Sequence, residues 1–424
     1  MVIMSQKFST VDWASGANIY EVNIRQYTKE GSFAAFAKHL PRLKEMGVAI
    51  IWLMPITPIS VKGRLGDLGS YYACSSYTSI NPEFGNLKDF KQLVKEVHAF
   101  GMKIIIDWVA NHTGLDHQWT FEHPDWFVKD AQGNFIEING WQDVIDLDFT
   151  APAMRQSMIK AMQYWVREAD IDGFRCDMAH LVPLDFWIDA RAKCDSAKPL
   201  FWLAECDDPN YHQAFDVSYA WNWMHATEKH ARAEASLHDI RNQLHAYTQY
   251  PQGAIKLYFT SNHDENSWNG TEFEKYGTLS KAWAVFSATW AGMPLIYSGQ
   301  ELPNTKRLQF FNKDEIEWKQ PIGLHGFYKL LLHLRKNSKA IQLGETFILP
   351  SENSNEIFAF LRKKDTEIVL VILNISTKNN LSIQVNHEWL SGAFISIFSE
   401  LTFSLLPGEK FELMAGEYLV YRKK

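Results

Sequence analysis

Two hydrophobic periods alternate along the first 340 residues of the chain. Short runs dense in Ile, Val, Leu and aromatic residues have the length and continuity of strands buried on both faces: "ANIYEVNI" (17–24), "GVAIIWLMP" (47–55), "MKIIIDWVANH" (102–112), "IDGFRCD" (171–177), "LFWLAE" (200–205), "FDVSYAW" (215–221), "AIKLYFTS" (254–261) and "MPLIYSG" (293–299). Helical spacing fills the intervals. One helix is predicted over 32–46, and another over 86–100, where Leu87, Phe90, Val94 and Val97 share a side and Gly101 stops the run. Strands alternating with helices predict an α/β fold with a parallel sheet covered on its outside. Eight such units predict closure into a (β/α)8 TIM barrel.

Two departures from this alternation predict further units. After the third strand comes the long stretch "TGLDHQWTFEHPDWFVKDAQGNFIEINGWQDVIDLDFTA", well beyond an ordinary βα loop, so a short inserted subdomain is expected. After "FYKLLLHLRKNSKA" (327–340) the helical period gives way to "ETFILP", "EIFAFLR", "EIVLVILN", "AFISIF" and "EYLVYR". Short strands separated by turn residues predict a C-terminal antiparallel β-sandwich. The expected organisation is a barrel over 1–111 and 152–340, an insertion over 112–151 and a sandwich over 341–424.

Composition narrows the class of partner. The net charge is −7, from 42 basic and 49 acidic residues, which argues against a nucleic-acid or anionic-membrane surface. The 16 Trp, 16 Tyr and 27 Phe exceed what a core of this size requires and suit the flat faces of sugars, so a neutral hydroxylated partner is expected. Cys74, Cys176, Cys194 and Cys206 have neither C-x-x-C spacing nor a matching His cluster, which removes zinc and redox-motif readings. No apolar run is long enough to span a bilayer, and "MVIMSQKFSTVDWAS" lacks the pattern of a leader, so a cytoplasmic location is expected.

Charge inside the apolar strands is the strongest chemical signal. In "DGFRCDMAH" (172–180), Arg175 and Asp177 fall on one strand face while Phe174 and Cys176 fall on the other. Taken alone, the pair reads equally as a structural ion pair. It has company, however. Asp107, Asn111 and His112 are expected at the end of the third strand, Glu205 at the end of the fifth, and His263 and Asp264 at the end of the seventh. In a (β/α)8 barrel those ends converge on the face where catalysis takes place.

In order and spacing, "DWVANH" (107–112), "GFRCD" (173–177), "FWLAE" (201–205) and "FTSNHD" (259–264) resemble the four sequence regions of the alpha-amylase family, glycoside hydrolase family 13. "GVAIIWLMPI" and "GMPLIYSGQE" resemble its second-strand and eighth-strand segments. The resemblance implies a retaining alpha-glycoside hydrolase acting on starch-like glucans or maltooligosaccharides. Asp177 is then the nucleophile and Glu205 the acid/base, with Asp264 as the third catalytic carboxylate. It also implies a substrate-binding set of Arg175, His112, His263, Tyr72, Asp107 and His180. Within that set, Arg175 is expected to keep Asp177 ionised, Asp107 to orient Arg175, and Tyr72 (or Tyr71) to stack on the sugar. The apolar "FWLAEC" context is expected to raise the carboxyl pKa of Glu205. The chain departs from the family at Ser76, where Asp is usual, and at His180 and Leu181, where Lys and His are usual. Calcium is the implied cofactor, with Asn111 and Asp143 as ligands and Asp146 and Asp148 as further oxygen donors; no organic cofactor is implied. A transglycosylase, or an enzyme for short alpha-glucosides, would use the same catalytic residues.

Overall fold

The computed structural model describes residues 7–424, and residues 1–6, on which the reading of the N-terminus partly rests, lie outside them. Eight parallel strands close a barrel: β1 (Ile19–Val22), β2 (Ile50–Leu53), β3 (Lys103–Trp108), β6 (Gly173–Cys176), β7 (Phe201–Ala204), β8 (Val217–Tyr219), β9 (Ile255–Tyr258) and β10 (Met293–Tyr297). Their order around the barrel is β1-β10-β9-β8-β7-β6-β3-β2. Alternation of side chains divides the strand residues between two apolar clusters. Ile19, Ile50, Ile105, Leu203, Val217, Leu257 and Leu295 belong to one. Tyr20, Ile51, Ile104, Ile106, Phe174 and Trp202 belong to the other, with residues of the surrounding helices.

The helix predicted over 32–46 is two helices, Phe33–Ala37 and Leu40–Met46. Pro41 has no N–H to give to the carbonyl of Ala37, so one continuous helix cannot pass through it. The helix Leu87–Ala99 forms as expected, with Asn86 and Asp89 in a reciprocal capping box and Phe90, Val94 and Val97 buried.

β3 stops at Trp108, earlier than the sequence suggests. Asn111 lies beyond it, and His112 opens β4 (His112–Gly114), which pairs antiparallel with β5 (Val144–Asp146). This hairpin stands at the C-terminal mouth of the barrel and carries the inserted segment.

The C-terminal strands are antiparallel. β11 (Glu345–Leu349), β12 (Ile357–Lys364), β13 (Glu367–Asn374), β15 (Gly392–Ser396), β16 (Thr402–Leu405) and β18 (Tyr418–Lys423) form one sheet, while β14 (Leu381–Val385) pairs with β17 (Glu409–Leu413). Ile357, Leu370, Ile383 and Phe411 pack in the core between the two. The opposite face of β12 and β13 meets the barrel, where the Phe360 ring lies 5.0 Å from Trp290 at 81°. Phe360→Leu, which removes this edge-to-face contact, is expected to lower folding stability by about 1–2 kcal/mol. A urea titration measures it, and an unchanged midpoint would contradict the importance of this junction. Among the described residues, no helix is long and apolar enough to cross a membrane.

Candidate active site

The strand register alone brings the first carboxylates together. Asp107 on β3 is paired with Arg175 on β6, and Cys176 with Ala204 on β7, so Asp177 and Glu205 leave adjacent strands one residue further on. Arg175 is fully buried and serves three acids. Its Nη1 donates to Asp107 Oδ1 at 3.0 Å and to Asp177 Oδ1 at 2.9 Å, and its Nη2 lies 2.8 Å from Glu205 Oε2. The Trp52 ring, 4.9 Å from the guanidinium carbon, and the Tyr219 hydroxyl, 3.3 Å from Nε, complete the seat.

One cation among three buried carboxylates does not neutralise them. Burial pushes the Asp177 carboxyl above its ordinary pKa, against the pull of Arg175, with Asp264 adding to the rise. The expected counter-charge is therefore in place, but desolvation outweighs it. Glu205 moves in the same direction: burial dominates, Arg175 opposes and Asp177 reinforces. The apolar context read from "FWLAEC" accounts for the first cause; the guanidinium contact was not apparent from it. The backbone N–H of Met178 also donates to Glu205 Oε2 at 2.9 Å.

A second relay supports the opposite side. His263 Nδ1 is 2.5 Å from Glu21 Oε1, and its Nε2 is 2.7 Å from the Tyr72 hydroxyl. Burial opposes the charged imidazole, but the carboxylates of Asp264 and Glu21 lift its pKa to about 9. As an imidazolium it donates to both neighbours, and the Tyr72 hydroxyl in turn donates to Asp107 Oδ2 at 3.2 Å. The Tyr72 ring stacks on His263 with centroids 5.4 Å apart. Tyr71 instead packs under the Arg25 guanidinium. Burial holds His112 down to about 4, so it is neutral near pH 7.

These groups open on a cleft of about 420 Å³ whose wall includes Asp177, Glu205, Asp264, His112, His263 and Tyr72. Arg175 and Asp107, expected in the substrate-binding set, lie behind that wall, where Arg175 contacts Asp107, Asp177 and Glu205. His180 is exposed and is not among the residues of that wall; it follows Met178, which is left-handed (φ 41°), and Ala179, which is buried. Sequence reasoning missed Trp141, Trp268, Phe310 and Phe311 in the cleft wall, and Glu21 beneath it. Glu21 carries the same signal as Arg175, a lone charge inside the apolar run "NIYEV". The rings had none, since an aromatic residue in a loop does not reveal which cavity it faces.

Asp207, two residues beyond Glu205, is held by Lys256 Nζ at 2.7 Å and by the hydroxyls of Tyr247 and Tyr250 at 2.8 and 2.7 Å. This cage fixes the loop that leaves the acid.

The residues expected to bind calcium lie on or beside the β4–β5 hairpin. Asn111 Nδ2 is 3.3 Å from Asp146 Oδ1, and Asp146 Oδ2 accepts the N–H of Ile138. Asp148 caps the turn at Thr150. Calcium requires six to eight converging oxygens. Among the described residues, no group of three or more His, Cys, Asp or Glu side chains is arranged to hold a metal ion.

A model for the alpha amylase catalytic domain matches residues 15–126 and 120–213, and one for the maltogenic amylase C-terminal domain matches residues 347–421. The fold superposes on a noncanonic maltogenic alpha-amylase, AmyB from Thermotoga neapolitana, with a TM-score of 0.89 and 32% identity, covering 97% of this chain and 99% of that one. An alpha-amylase structure from Lactobacillus plantarum gives a TM-score of 0.89 and 27% identity, covering 97% and 100%. The alpha-amylase MalA of Haloarcula japonica is 26% identical over 86% of this chain, which spans 56% of the length of that relative.

Proposed function

Because the chain belongs to the alpha-amylase family of glycoside hydrolases, we propose that it cleaves alpha-glucosidic bonds of starch-like glucans or maltooligosaccharides through a covalent glycosyl intermediate on Asp177. The observation that carries this reading is the placement of Asp177 and Glu205 on one buried guanidinium, at adjacent strand ends, in a cleft walled by aromatic rings.

Each residue then has a task. Arg175 holds Asp177 Oδ1, which leaves the other carboxylate oxygen for attack on the anomeric carbon. Glu205, its proton favoured by burial, gives that proton to the departing glycosidic oxygen and then takes one from the incoming water. Asp264, His263 and neutral His112 face the same sugar and suit its hydroxyls. Tyr72, oriented from both sides, offers its ring to the sugar face. Transfer to a sugar hydroxyl in place of water uses the same groups, and the exposed Trp268 beside Phe310 favours an acceptor sugar on that wall. Products longer than the maltotriose supplied would identify transfer.

The test of the mechanism is stereochemical. Neighbouring parallel strands are about 4.8 Å apart, close to the roughly 5–5.5 Å carboxyl separation of retaining enzymes and short of the roughly 6.5–9.5 Å that inversion requires. Proton NMR in the first minutes of maltooligosaccharide cleavage is expected to show the alpha anomer first. An initial beta anomer would overturn the nucleophile assignment.

A further inference from the structure

One side chain in the cleft wall carries a charge that the protein leaves unanswered. Asp143 sits immediately before β5 and is 7% exposed, yet its Oδ2 has no hydrogen-bond donor among the described residues. A buried carboxylate oxygen without a donor is unfavourable, and the hairpin maintains the arrangement by pairing Gly114 with Val144 and His112 with Asp146. An acceptor held this way in a cleft suits a donor that arrives with the ligand.

The nature of that donor follows from the surroundings. A metal ion would need several converging oxygens, and among the described residues no group of three or more His, Cys, Asp or Glu side chains is arranged to hold one. An anionic ligand would meet Asp143, Asp177, Glu205 and Asp264 together. A neutral sugar brings hydroxyl donors beside an apolar face, and Trp141, two residues earlier and 36% exposed, is a ring in the same wall.

We propose that Asp143 is a specificity residue whose Oδ2 accepts a hydrogen bond from one hydroxyl of a glucosyl unit lying against Trp141. This inference rests on the alpha-glucan reading above.

Calorimetry with maltotetraose on Glu205→Gln protein, in which turnover is expected to be slow, separates the two claims. Adding Asp143→Ala is expected to weaken binding about 10- to 100-fold, since hydrogen bonds to charged groups are among the strong ones. Asp143→Asn, which keeps one acceptor, is expected to fall between. Among maltotetraoses each lacking one hydroxyl, a single compound should lose that factor against Asp143 and nothing against Asp143→Ala. Thermal stability of the Ala variant is expected to be unchanged or higher, because an unanswered buried carboxylate has been removed. A purely structural role for Asp143 would lower it. Equal maltotetraose affinity with and without Asp143 would overturn the inference alone. Failure of folded Glu205→Gln protein to bind any maltooligosaccharide would overturn the function with it. Calcium raising the melting temperature of the parent but not of Asp143→Ala would assign the residue to a metal and also overturn the proposal.

Discussion

Asp177→Asn is expected to lower kcat on maltooligosaccharides by at least about 10⁴-fold while the protein stays folded, and Glu205→Gln by about 10²–10⁴-fold. The amide introduced by Asp177→Asn would keep the shape of the carboxylate and one acceptor for Arg175 Nη1, so the seat described by the 2.9 Å contact survives while the nucleophile is lost. The amide of Glu205→Gln would likewise keep an acceptor for the N–H of Met178. The two variants should differ with leaving group. An alpha-glycosyl fluoride departs without protonation, so Glu205→Gln is expected to retain more activity on it than on maltotriose, whereas Asp177→Asn loses both. Steady-state rates with circular dichroism of each purified variant check this. Near-normal turnover in either would sink the assignment of roles.

Arg175→Met is expected to have the second largest effect, on stability and on pH dependence together. It leaves Asp107, Asp177 and Glu205 buried without their shared cation. Breaking a buried ion pair from one side costs about 3–5 kcal/mol. The pH dependence has a definite sign. Burial already raises the carboxyl pKa values of Asp107, Asp177 and Glu205 in the folded protein, and Arg175 is what opposes the rise. Without it they climb further, and the folded state binds protons more tightly than the unfolded chain. Stability contributed by a raised carboxyl pKa is present at low pH and is lost as pH rises through the folded value. The deficit of Arg175→Met should therefore be larger at pH 8 than at pH 5. Residual activity should also move to higher pH on its acidic limb, because Asp177 must be ionised to attack. Urea titrations at the two pH values and a pH–rate profile measure these effects. A deficit independent of pH would mean that Arg175 acts by packing alone.

Short-range pattern was enough to determine much of this protein. Eight apolar strands with helices between them can bury their faces only in a covered parallel sheet, and the run of short strands after residue 341 only in an antiparallel one. Arg175, Asp177 and Glu205 were legible because a charge inside or just after a buried strand needs a reason, and a barrel brings strand ends to one rim. What the tertiary structure decided depends on contacts distant in sequence. The Glu21–His263 contact spans 242 positions, and together with Asp264 it sets the charge on the imidazole that contacts Tyr72. The sharing of Arg175 among three acids depends on strand order and register, and the upward shift of Asp177 on how completely water is excluded around it. His180 is exposed outside the cleft wall, and the β4–β5 hairpin brings Asn111 to Asp146 while leaving Asp143 Oδ2 unanswered in the wall. A sequence pattern says which side chains are out of place in an apolar strand. Only the closed barrel and its hairpin say which partner each one meets and whether water is there to screen it.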